Sequence, residues 1–154
     1  SEIYPRISKK MVEKEISIVL CGGEELQGLC SGRITYAPYS EKEQLLQEAL
    51  LVLLPLNKPD TEGRILTCAQ FRKTLVCTLS TIKNFPLLED SYLASDDFAE
   101  LSEKIIELFR SAKKLNEYAN KLTAFCFANF TPEKVENALL TKLNSWIGNN
   151  VSNQ

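Results

Sequence analysis

Histidine does not occur anywhere in the 154 residues. Its absence removes the side chain that most often moves protons near neutral pH and the commonest protein metal ligand. Ser-His-Asp and Cys-His nucleophilic arrangements are therefore impossible. So are zinc sites that need histidine, and haem held by histidine. A disulfide framework is missing too. The five cysteines, Cys21, Cys30, Cys68, Cys77 and Cys126, are odd in number and contain no C-x-x-C pair. They read as free thiols in a reducing compartment, most of them acting as small hydrophobes. Cys30, between Gly28 and Gly32, is the one most expected at the surface.

Long apolar runs are also lacking. The longest is Ala49 to Leu54, followed by Pro55 and Leu56, well short of the roughly 20 residues of a membrane span. The opening SEIYPRISKK carries no apolar core of a signal peptide. The expected location is cytoplasmic or nuclear, without a membrane. Charge of one sign is absent as well: 18 Lys and Arg face 20 Asp and Glu, a net of −2. That argues against a polyelectrolyte partner engaging the whole surface.

What is present is helical periodicity. Between Ser8 and Cys21, Val12, Ile16, Val19 and Leu20 recur at helical spacing, and Gly22-Gly23 follows as a stop. Residues 24–39 carry Gly28, Gly32 and Pro38 and read as a loop. Ser40 and Glu43 match a capping box. The run to Leu54 behind them is apolar on nearly every side, so a central helix over 40–54 is expected. Residues 61–83 repeat apolar side chains at three-and-four spacing. From Phe98 to Cys126, Leu101, Ile105, Leu108, Ala112, Leu115, Ala119 and Leu122 keep a heptad seam, which reads as one long helix over 95–129. Thr131-Pro132 opens a last helix that Gly148 closes.

The expected fold is accordingly all-α: a single-domain bundle of five main helices over residues 1–148, with a frayed tail at 149–154. The alternative is an α+β domain with short strands near 15–21 and 29–37.

Few residues ask for chemistry. The carboxylate pairs Glu24-Glu25, Glu89-Asp90 and Asp96-Asp97 are explained by helix starts and turns. Cys21-Gly-Gly-Glu-Glu-Leu-Gln-Gly28 lacks the Gly-Lys-Ser/Thr of a phosphate loop. Leu50 to Leu54 matches L-x-x-L-L but reads as core. Neither a cofactor nor a metal is expected, and the chain does not read as an enzyme.

Two surface readings are left. Phe125, Phe127 and Phe130 exceed what one small core needs and mark a candidate interaction surface. Arg6, Lys10 and Lys14 are four apart, with Lys9 beside them, and Arg110, Lys113 and Lys114 form a second basic group. These seven are the candidate nucleic-acid contacts, with Tyr36 and Tyr39 as stacking aromatics. The leading expectation is a non-enzymatic protein–protein interaction or assembly module whose partner is another protein or a second copy. The alternative is an RNA-binding protein that tracks phosphates with its basic ridges.

Overall fold

The computed structural model describes residues 3–10, 16–54, 62–83, 85, 90–134, 136–137 and 140–141. The architecture is mixed, not an all-α helical bundle. Among the described residues, five strands form two small parallel sheets, with helices before, between and after them. The first sheet pairs β1 (Ile18–Gly22) with β2 (Ile34–Pro38), Ile18 opposite Ile34 and Gly22 opposite Pro38. These strands lie where the α+β alternative put them. The second sheet has the order β3 (Leu51–Leu54), β4 (Thr74–Cys77), β5 (Leu93–Ala94). Its strands β3 and β4 fall in segments that the periodicity assigns to helices 40–54 and 61–83, and β5 falls between the expected helices.

The reason for the discrepancy is physical. A parallel strand covered on both faces is an unbroken apolar run, and so is a helix buried on all sides. Leu51-Val-Leu-Leu54 is such a run. It follows a shorter helix, α2 (Lys42–Glu48). Ser40 does not cap that helix: Glu41 holds the cap position, without a side-chain hydrogen bond.

Helices cover both faces of the second sheet. Leu75 and Cys77 of β4 point to one side, into a cluster with Ile65, Cys68 and Ala69 of α3 (Glu62–Gln70) and Leu122 and Cys126 of α6 (Ala112–Asn129). Val76 points to the other side. There it meets Leu101, Ile105, Ile106 and Leu108 of α5 (Phe98–Phe109), and Ile3 and Ile7 of α1 (Ile3–Lys10). The side chains of β3 divide the same way, Val52 and Leu54 to the first cluster and Leu51 and Leu53 to the second. This is the period of two expected of a strand, with β4 buried on both faces and β3 partly so.

Cross-layer hydrogen bonds tie the stack together. Thr74 of β4 donates to the Leu115 carbonyl at 2.7 Å, and Thr123 of α6 donates to the Ala69 carbonyl at 3.0 Å. The long seam over 98–126 is two helices, not one. The chain breaks at Arg110-Ser111, where Ser111 turns extended (φ −139°, ψ 96°) and its side chain accepts from the Lys114 N–H. Leu101, Ile105, Leu108, Ala119, Leu122 and Cys126 of the seam are buried, whereas Phe98 and Ala112 are not. No helix among the described residues is long and apolar enough to cross a membrane. The 149–154 tail lies outside the described residues.

Candidate functional site

In an open parallel sheet the helices occupy the two faces, so the connections that follow each strand gather at the carboxyl edge. Ligands of such sheets bind in the crevice outside that edge. Here the chain leaving β4 is Thr78-Leu79-Ser80-Thr81, whose last three residues begin the short helix α4 (Leu79–Ile82). The chain leaving β5 is Ser95-Asp96-Asp97, which begins α5.

A floor of satisfied hydrogen bonds holds the two connections together. Thr81 donates to the carbonyl of Leu54, at the end of β3, over 3.0 Å. Its hydroxyl lies 2.7 Å from that of Thr78, which lies 2.9 Å from that of Ser80. Because the Thr81 proton is committed to Leu54, the chain runs from Ser80 through Thr78 to Thr81. The Leu79 N–H donates to Asp96 Oδ1 at 2.9 Å, joining one connection directly to the other. Asp97 caps α5 by accepting from the Ala99 N–H at 2.7 Å.

Ser95 accepts from the Asp97 N–H and donates to Glu100. Glu100 also pairs with Lys104 at 2.8 Å. The hydrogen bond from Lys104, and after it the one from Ser95, holds the Glu100 carboxyl below the usual carboxylate range. Beneath this floor Cys77 is fully buried. Desolvation, with the Asp96 charge second, pushes its thiol up to about 12.

Above the floor stand four exposed side chains: Leu79, Ser80, Asp96 and Phe98. Leu79 is 52% and Phe98 41% exposed, high values for large apolar residues flanking a rigid polar edge. The two connections thus expose two apolar side chains, one carboxylate and one hydroxyl. Sequence reasoning missed all four as site residues because it ran Leu79 and Ser80 into one helix over 61–83, across β4, and took Asp96 and Phe98 as the start of the helix over 95–129. The signal was there in Thr78-Leu-Ser-Thr81 and Ser95-Asp-Asp97, polar clusters that follow directly on short apolar runs. Among the described residues, no three His, Cys, Asp or Glu side chains come together as a metal site.

The expected contact residues fall elsewhere. Arg6 and Lys9 are exposed on α1, and Lys10 ends that helix; Lys14 lies outside the described residues. Arg110 is exposed at the α5–α6 corner. Lys113 lies 3.9 Å from Glu117, and Lys114 lies 3.5 Å from Glu107, so these two carry acidic neighbours. Tyr36 donates its hydroxyl to the Gly22 carbonyl at 3.3 Å, and Tyr39 lies under the Lys42 ammonium. Phe125 and Phe130 pack at the rim of the α3–α6 core, where Phe130 stacks on Phe85 with ring centres 5.1 Å apart. Of the three phenylalanines, Phe127 alone is largely exposed, at 63%. No family model, no curated protein and no solved structure matches the chain.

Proposed function

We propose that the chain is a binding module and that its ligand seat is the carboxyl edge of the three-stranded sheet. The observation that carries this reading is the Leu79 N–H to Asp96 bond. It locks two strand connections into one surface, and that surface presents Leu79, Ser80, Asp96 and Phe98 to solvent. The chemistry suits a small, uncharged, hydroxyl-bearing molecule. Asp96 accepts from a hydroxyl, Ser80, whose own proton goes to Thr78, accepts from another, and Leu79 and Phe98 cover the apolar face of a ring. With no histidine in the chain, the reading is one of binding rather than catalysis.

Titrating monosaccharides and nucleosides into isotope-labelled protein tests it. The amides of 78–81 and 95–98 are expected to shift saturably, and Asp96→Ala to weaken the effect about tenfold, the worth of one hydrogen bond to a charged group. If no compound moves those amides while others elsewhere respond, the seat is wrong.

A second reading, a protein–protein interaction or assembly module, draws on exposed apolar side chains away from this edge, chiefly Phe127 and Leu140. Light scattering at high concentration, with and without Phe127→Ser, separates it from the first. The RNA-binding alternative draws on Arg6, Lys9 and Arg110, and it is weakened by the acidic neighbours of Lys113 and Lys114. Free cysteines throughout the described residues suit a reducing cytoplasmic or nuclear setting.

A further inference from the structure

A concavity lies beside β5, lined by none of the residues of the proposed seat. It is a cleft of about 270 Å³ at the corner between α5 and α6, floored by Leu93 and Leu108 and edged by Asp90. Three lysines and three acids line it, so its formal charge cancels. Several of these groups are already matched. Lys104 pairs with Glu100 and donates to the Ala94 carbonyl; Lys114 pairs with Glu107, and Glu117 with Lys113.

Three lining groups remain without a hydrogen-bond or ion-pair partner among the described residues: the Asp90 carboxylate, the Lys121 ammonium and the Tyr118 hydroxyl. Asp90 is also one of two non-glycine residues with left-handed backbone among the described residues, φ 69°. That conformation is strained for most side chains and suits aspartate and asparagine best.

An anion alone would enter beside three carboxylates and a cation alone beside three ammonium groups. A molecule carrying both charges meets a free partner for each. We infer that this cleft binds a small zwitterion with an apolar body, an α-amino acid in the simplest case. Its carboxylate sits on Lys121, its ammonium on Asp90, and its side chain lies over Leu93. Tyr118 supplies a further hydrogen bond to the carboxylate.

The inference is independent of the seat proposed above, since the two share no residue. Its test uses the full chain and three probes of nearly one shape: L-leucine, leucinamide with only the positive charge, and N-acetylleucine with only the negative. Leucine is expected to shift the amides around 90, 118 and 121 saturably. Each blocked probe should bind about tenfold more weakly, the loss of one charge-assisted contact.

Two surface variants cross the charges. Asp90→Asn keeps a side chain that tolerates the backbone; it should weaken leucine and strengthen N-acetylleucine, because a repulsion is gone. Lys121→Met should weaken leucine and strengthen leucinamide. Circular dichroism like that of the parent chain shows that each variant is folded. Absence of saturable leucine binding, equal binding of all three probes, or variants that leave the preference unchanged would each overturn the assignment.

Discussion

Three of the five thiols, Cys68, Cys77 and Cys126, share one apolar cluster between the sheet and helices α3 and α6. Burial raises all three, and it pushes Cys68 and Cys77 up to about 12. A thiol whose proton is held more tightly in the folded chain than in the unfolded chain stabilises the fold below its unfolded value near 9. That contribution is lost as pH rises towards 12. Each such thiol then costs on the order of 1 kcal/mol per pH unit across the window. Urea midpoints measured from pH 8 to 11 should therefore fall, and the fall should be shallower in Cys68→Ala, with one thiol fewer. A slope that Cys68→Ala leaves unchanged would mean that this thiol ionises as freely folded as unfolded. The apolar neighbours of these cysteines in sequence were enough to read them as buried. Cys21 has apolar neighbours too, yet it lies next to the last residue of β1 and is only partly covered. Neighbours along the chain do not reveal where a strand meets solvent.

Elements were legible where the chain announces its stops and illegible where it does not. α3 ends in paired hydrogen bonds, Lys73 N–H to the Cys68 carbonyl at 2.9 Å and Arg72 N–H to the Ala69 carbonyl at 3.0 Å. This is the Schellman closure, and it places Arg72 in the left-handed region at φ 53°. Glycine is the usual residue there and would have marked the end of the helix. With arginine instead, residues 61–83 read through as one helix, and β4 together with the connection carrying Leu79 and Ser80 vanished into it. Ser111 behaves likewise: it caps α6 without any Gly or Pro to signal the break, so two helices read as one seam. The start of α5, by contrast, is signalled by Ser95-Asp-Asp97, although the residue that caps it is Asp97 and not the Ser95 that the sequence suggests. The strained arginine makes a direct prediction. Arg72→Gly should raise stability by about 0.5–1 kcal/mol through relief of the left-handed backbone, less what glycine's unfolded-state freedom costs. Thermal unfolding would show it as a rise of a few degrees, and a lower midpoint would contradict the strain argument.

The two sheets differ in how well the whole molecule covers them, and that difference should set the order in which it opens. In β4 every residue is buried, strands lie on both sides, and helices close both faces. The β1–β2 pair is another matter. Val19 and Thr35, opposite each other, are both exposed, and among the described residues no third strand joins the sheet. Parallel pairs are stable chiefly when both faces are dry, and two strands alone are marginal. Helix α1 is eight residues long, too short to persist unaided, and it is held by Ile3 and Ile7 against the α5 side of the core. Native-state hydrogen exchange should therefore fall into tiers. The amides of β4 and the central turns of α6 around Leu122 should exchange only through global unfolding. Those of α1 and the β1–β2 pair should exchange through smaller openings, with a weaker dependence on denaturant. Removing the anchor should separate these tiers further. Ile7→Ala should speed exchange in α1 strongly and in β4 only by the general loss of stability, some 2–5 kcal/mol for a buried isoleucine at most. If the β1–β2 amides instead exchange as slowly as those of β4, the two sheets open as one unit, and the first sheet is covered by something stronger than the contacts described here.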